Sequence, residues 1–159
     1  MKRRVLSFLL GGVVGGIAGA SAVGNKLGKD VKREHTYAQK HLMIMRMFNQ
    51  WLIDKQEGKN LASFFEVNGY KSIAIYGMSY LGERLVDELK GSGIEVKYAI
   101  DKNADNIYAD IEVKQPTDDL PKVDAVVVTA VYFFDEIESE LVELVDCPVI
   151  SLKDVLVGV

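Results

Sequence analysis

Hydrophobic and polar positions divide the chain into three stretches of different rhythm. From Val5 to Val23, VLSFLLGGVVGGIAGASAV, no position carries a charge; Lys2, Arg3 and Arg4 precede the run, and Lys26, Lys29, Lys32 and Arg33 follow it. As a helix rising about 1.5 Å per residue this run is about 28 Å long, close to the roughly 30 Å hydrocarbon core of a bilayer, and it predicts a single membrane-spanning helix. Gly11, Gly15 and Gly19 fall on one stripe of that helix, and Gly12, Gly16, Ala20 and Gly24 on the next, a face that lets a partner backbone approach closely. Between Asp30 and Glu57 there is no Pro or Gly, and Gly58 stops the run. Tyr37, His41, Ile44, Phe48 and Trp51 recur at spacings of 4, 3, 4 and 3, which predicts a long amphipathic helix with one face buried. Two readings stay open for that face: a connector packed on the domain or on its own copy, and a self-associating stalk with a coiled-coil seam.

Beyond a short helix around Leu61 to Val67, apolar runs alternate with amphipathic stretches. Ser72–Tyr76, SIAIY, reads as a buried strand, Tyr80–Lys90 as a helix with Leu81, Leu85, Val86 and Leu89 inward, and Glu95–Ile100 as the next strand. Ile111–Val113 reads as a short third strand, Asp124–Ala130 as a fourth, Phe134–Val145 as a helix and Pro148–Ser151 as a fifth strand. Strands that are apolar throughout are covered on both faces. With right-handed crossovers the economical fold is α/β, a five-stranded parallel Rossmann-like sheet in the order 3-2-1-4-5. The expected organisation is a membrane anchor over 1–27, an amphipathic helical stalk over 28–59 and a Rossmann-like nucleotide-binding domain over 60–159.

Charge sharpens this division. The net charge of −4 over 159 residues combines a basic part, residues 1–68, with 11 Lys and Arg against 5 Asp and Glu, and an acidic part, residues 69–159, with 8 against 18. A basic amino-terminal region suits an anionic membrane surface, whereas an acidic body offers nucleic acid no basic patch, so nucleic-acid binding is not expected. Ala20-Ser21-Ala22 imitates a signal-peptide cleavage site, and a segment resting on the membrane without crossing it is a third reading. A retained anchor is favoured, because the glycines weaken the apolar run and the Lys- and Arg-rich stretch after it resembles a cytoplasmic flank. The expected location is a single-pass membrane protein with its carboxyl-terminal domain in the cytoplasm. The single cysteine, Cys147, excludes an intramolecular disulfide and reads as a small buried apolar residue. Met43, Met45 and Met47 do not share one helical face, and His35 and His41 are poorly spaced for two ligands on a helix, so no metal site is expected.

The chemistry such a sheet supports lies where strand order reverses, at the carboxyl ends of strands 1 and 4. Gly77-Met78-Ser79-Tyr80-Leu81-Gly82 is a G-x-S-x-x-G variant of the dinucleotide fingerprint. Gly77 suits the tight turn, Gly82 the close approach of helix to sheet, and Ser79 replaces the middle glycine with a hydroxyl able to bond a phosphate oxygen or cap the helix. Asp101, at the end of strand 2, stands where such folds place an acid against ribose hydroxyls. Thr129 closes the crevice after strand 4, and Tyr132 beside Phe133 can stack on a base or close the domain hydrophobically. The acidic run Asp135, Glu136, Glu138, Glu140 and Glu143 reads as a solvated helix face. Tyr98 and Lys102 match the Tyr-x-x-x-Lys spacing of short-chain reductases by letter, yet along a strand four residues span about 13 Å instead of one helical turn. No Ser/His/Asp set, Walker lysine loop or paired metal ligands occur, so the sequence leans against an enzyme.

The run IAIYGMSYLGERLVDELKGSGIEVKYAIDKNADN, with VDAVVVTA and PVISLKDVL after it, resembles the small Rossmann-like domains of bacterial surface-polysaccharide proteins. These include the amino-terminal nucleotide-sugar-binding domain of sugar O-acyltransferases and the domain preceding some nucleoside-diphosphate-sugar epimerases. The resemblance covers roughly residues 70–156. It implies a nucleotide-type small molecule as ligand, a nucleotide sugar or NAD(P), with Gly77, Ser79, Gly82 and Asp101 as contacts; Ser79 departs from the family's glycine. In the acyltransferases a separate left-handed β-helix performs catalysis, and no such repeat follows here. The expected function is a membrane-anchored, non-catalytic nucleotide-binding module of envelope polysaccharide synthesis or its regulation, able to form a homo-oligomer through residues 11–56. Two alternatives stand beside it: an interaction domain with an empty crevice, and a reductase- or epimerase-like protein completed by a partner.

Overall fold

The computed structural model describes residues 31–117 and 119–159. The anchor and glycine stripe expected over 1–27 lie outside them, and among the described residues no helix is long and apolar enough to cross a membrane. Residues 43–159 form one compact unit; residues 31–42 belong to another.

The absence of Pro and Gly up to Gly58 has its expected effect: residues 31–56 are helical (α1). Gly58, with φ +79°, ends the helix in a Schellman arrangement, in which Lys59 N donates to Asp54 O and Gly58 N to Lys55 O. There follow α2 (Ala62–Val67), β1 (Ser72–Tyr76), α3 (Tyr80–Leu89), β2 (Glu95–Ile100), β3 (Val113–Lys114), β4 (Ala125–Val128), α4 (Phe134–Leu141), β5 (Val149–Ser151) and α5 (Leu152–Val157). All strand pairings are parallel, and the order is β3-β2-β1-β4-β5, as the apolar strands predict.

Alternation along the strands divides the core into two layers. Ile73 and Ile75 of β1, Ala99 of β2 and Ala125 and Val127 of β4 meet Leu81, Leu85 and Leu89 of α3, Phe65 of α2, Leu152 and Val155 of α5, and Met47 and Trp51 of α1. On the opposite face Ala74, Tyr76, Tyr98, Ile100, Val126 and Val128 meet Ile137 and Leu141 of α4. Helices thus cover both faces, which is why the strands read as unbroken apolar runs.

Four expectations need correction. The third strand is Val113–Lys114 and not Ile111–Val113, because pairing at this edge is confined to Ala99 and Ile100 of β2. The helix expected to reach Val145 stops at Leu141; beyond it Leu144 N and Val145 N both bond Leu141 O in a turn, while Leu144 and Val145 still pack on the core. A terminal helix, α5, follows β5; Ser151 caps it, its Oγ accepting from Lys153 N at 3.3 Å. Of the face expected to be buried on α1, Ile44, Phe48 and Trp51 pack on the core together with Met43 and Met47, whereas Tyr37 and His41 are exposed.

Candidate functional site

At the carboxyl end of β1 the chain turns sharply at Gly77, whose φ of +98° lies in the region that L side chains rarely adopt. Gly77 N still belongs to the ladder, donating to Ile100 O of β2 at 2.8 Å. Thr129, just beyond β4 and buried, fastens the turn from the other side: its N donates to Tyr76 O at 2.9 Å and its hydroxyl to Gly77 O at 2.6 Å. A Cβ on Gly77 would stand 2.9 Å from that hydroxyl. A Cβ on Gly82 would land on the Gly77 carbonyl oxygen, far inside contact distance. Gly82 is therefore what lets the first turn of α3 lie on the loop. Gly77, Gly82 and Thr129 thus form one packed unit at the point of strand-order reversal.

Ser79 is the residue that caps α3 by position. It is extended, with φ −103° and ψ −166°, and exposed, and its side chain makes no capping bond. The first-turn amides of α3 have no partner within the helix by construction, and they stand at its positive dipole end. Glu83, also in that first turn, ion-pairs with Arg84 at 3.6 Å and offsets part of this positive potential.

Asp101, the expected ribose contact, has a local structural role of its own. One carboxylate oxygen accepts from Met78 N at 3.0 Å and the other from Asn103 N at 2.9 Å, so the side chain braces the glycine turn and its own loop at once. Lone pairs remain on both oxygens for a further donor. Beside it, Lys102 closes an ion pair with Glu140 of α4 at 2.8 Å, and Glu140 holds the ammonium pKa above its usual range. Beneath that pair lies the buried Tyr76, whose phenol is pushed up by desolvation; Lys102 opposes the shift, and Glu140, Asp101 and Glu136 add to it. Tyr76, Lys102 and Glu140 form a group that sequence reading did not assemble. In the sequence Lys102 stands beside Asp101 in the loop after the second strand and in the Tyr-x-x-x-Lys spacing, and Glu140 is one of a solvated helix face.

Tyr132 lies half-buried in the 3-10 turn Val131–Phe133, its ring edge-on to Phe133 with centroids 5.1 Å apart. The reductase spacing finds no support in geometry. Tyr98 is buried in β2, its hydroxyl donating to Pro121 O at 2.7 Å and its pKa pushed up to about 12, chiefly by burial, while Lys102 pairs elsewhere. Cys147 is half-buried near the opposite, amino-terminal end of the sheet, beside a cavity of about 290 Å³ that Pro121 and Leu144 also line. Among the described residues no group of three or more His, Cys, Asp or Glu side chains is arranged to hold a metal ion. No family model, curated protein or solved structure matches the chain. The chemistry of the crevice carries the functional reading.

Proposed function

We propose that the chain is a membrane-anchored, non-catalytic module whose crevice at the ends of β1 and β4 holds the phosphate portion of a nucleotide or nucleotide sugar, in the service of envelope polysaccharide synthesis. The observation that carries this reading is the glycine turn. Gly77 has positive φ, Gly82 admits no Cβ, and together they set the amino terminus of α3, with the Ser79 hydroxyl beside it, at the switch point of the sheet. That is where a parallel α/β sheet offers main-chain donors to an anion. The polysaccharide setting comes from the resemblance of residues 70–156 to nucleotide-sugar-binding domains, and the anchor from the uncharged run of residues 5–23 with its basic flanks. The domain is assigned to the cytoplasm on the same grounds.

A second reading has its own observation. Asp101 already accepts a main-chain donor on each carboxylate oxygen, and Glu83 stands in the first turn of α3, so a phosphate meets carboxylates as well as amides. These features favour an interaction domain whose turn is held shut for its own stability. Calorimetry on the full chain in detergent with UDP-sugars, NAD(H), NADP(H), AMP and coenzyme A separates the two. Saturable binding of a diphosphate-containing ligand is expected; binding of none of them overturns the nucleotide reading. For the anchor, deletion of residues 5–23 is expected to move the protein out of the membrane fraction, and a mature chain found by mass spectrometry to begin at Val23 would overturn a retained anchor.

A further inference from the structure

We propose that Asp101 sets the specificity of the crevice: its carboxylate stands in for a phosphate oxygen on the Met78 amide, and it gives up that amide to a phosphate that brings a sugar hydroxyl in exchange. This rests on the reading of the crevice as a nucleotide site and adds a reason why the site refuses bare phosphate or pyrophosphate. The observation is one peptide unit held at both ends. Between Gly77 and Met78 the carbonyl accepts from the buried Thr129 hydroxyl at 2.6 Å, and the amide donates to Asp101 Oδ2 at 3.0 Å. The peptide is trans, so its two ends point in opposite directions, and fixing the carbonyl fixes the amide. Thr129 is itself fixed, since its own amide bonds Tyr76 O at 2.9 Å. Gly82, without a Cβ, leaves room for the Gly77 carbonyl. The Met78 amide is therefore aimed, by β4 and α3 together, at the end of β2.

A carboxylate on that amide does what a phosphate oxygen would do there: it is a negative acceptor taking a charge-assisted bond at a strand-to-helix turn. An arriving phosphate finds the amides of Ser79, Tyr80 and Leu81, which have no partner within α3, but at Met78 it meets a like charge already on the donor. The carboxylate is able to leave because Met78 is not its only hold. Its Oδ1 accepts from Asn103 N at 2.9 Å, so the side chain stays seated on its own loop when Oδ2 is released. Once released, Oδ2 is a charged acceptor that has lost its donor in a half-buried position, which is unfavourable until another donor replaces it. A ribose hydroxyl joined to the phosphate supplies that donor, whereas pyrophosphate brings further negative charge. The same side chain thus acts in opposite directions on two ligands that share their phosphate chemistry.

The test is calorimetry on the full chain in detergent, with inorganic pyrophosphate and UDP-glucose as probes, for the unsubstituted protein, Asp101→Asn and Glu83→Gln. Asp101→Asn keeps the shape and one acceptor oxygen and loses the charge. Pyrophosphate is expected to bind Asp101→Asn about tenfold or more tighter than the unsubstituted protein, while UDP-glucose is unchanged or weaker, so the preference for UDP-glucose falls by at least about tenfold. Glu83→Gln removes an exposed carboxylate from the first turn of α3 and is expected to move both probes together, by less than about threefold. A carboxylate that only braced the turn would weaken both probes when replaced, and that result overturns the proposal. An equal gain for both probes, or a gain in Glu83→Gln as large as in Asp101→Asn, would mean general charge repulsion and also overturns it. A second readout needs no substitution: in protein labelled with nitrogen-15 methionine, saturating UDP-glucose is expected to shift the Met78 amide resonance, and an unmoved resonance overturns the exchange. Binding of UDP-glucose with an unchanged preference in Asp101→Asn removes the role of Asp101 and leaves the nucleotide reading standing; binding of neither probe by any of the three proteins removes both.

Discussion

At Asp101 one carboxylate serves Met78 N in the loop after β1 and Asn103 N in the loop after β2, so the shape of the crevice depends on a side chain first read as a ligand contact. Charge-assisted bonds to main-chain donors stabilise by about 1.5–3 kcal/mol when buried, and partial exposure here brings the expected loss for Asp101→Ala to about 1–2 kcal/mol. Gly82 offers a sharper test. In an ordinary helix interior Gly→Ala stabilises by about 0.5–1 kcal/mol. Here the new Cβ meets a backbone carbonyl that cannot rotate away, so Gly82→Ala is expected to destabilise by about 1–3 kcal/mol in urea unfolding. A stabilised Gly82→Ala would show that the turn and α3 do not touch as described. The glycines were legible in sequence because a tight turn and a close approach are demands on single residues at fixed spacing. The bracing role of Asp101 was not, since it needs two loops that only the sheet brings together. The Lys102–Glu140 pair joins residues 38 apart by the same kind of closure, and nothing in the acidic run marks Glu140 off from its neighbours.

α1 is legible in the sequence as a helix with two neighbours open to its apolar face, and its side chains from Met43 to Trp51 take the domain. Its domain-facing side chains belong to the main core: Trp51 is 6% exposed and stacks near Phe48 with centroids 6.5 Å apart. Trp51→Ala is therefore expected to cost about 3–5 kcal/mol and lower the melting temperature of the whole domain, whereas a free stalk would lose almost nothing. Circular dichroism melts of the two proteins check this. β1 and β2 coincide with their expected limits, since four consecutive apolar residues in β1, Ile73–Tyr76, and three in β2, Tyr98–Ile100, leave little freedom between turn signals. α4 was expected to be longer because Leu141, Val142, Leu144 and Val145 continue an apolar pattern; packing on the core is satisfied there by a turn, and periodicity alone cannot distinguish the two. α5, six residues long, is too short for periodicity to register, although Ser151 with Asp154 three residues later is an N-terminal signal of the kind that marks helices.

Over the whole molecule, parallel topology requires that strands distant in sequence be fastened at their starting ends as well as along their ladders. Asp124, at the entrance to β4, does this for β1: one carboxylate oxygen accepts from Lys71 N at 2.8 Å, Ser72 N at 2.7 Å and the Ser72 hydroxyl at 3.0 Å. Those donors, the main-chain ones first, hold its pKa below the usual carboxylate range. A carboxyl whose pKa is depressed in the folded state contributes stability that is fully present above its unfolded value of about 3.9 and is lost as pH falls through the folded value. The acidic body, residues 69–159, also titrates in this range, and protonating it relieves repulsion, which acts in the opposite direction. That background is common to the protein and to Asp124→Asn, so it cancels in their difference. Asp124→Asn keeps the shape and one acceptor oxygen but no charge. The variant is therefore expected to unfold at lower urea concentration than the unsubstituted protein at pH 7, and the gap is expected to narrow as pH falls from about 4 to below the folded pKa, because only the unsubstituted protein has a charged tie to lose. Urea midpoints for both proteins at pH 7 and near pH 2.5 measure it, and a gap of the same size at both values would mean that the charge on Asp124 does not hold β4 to β1.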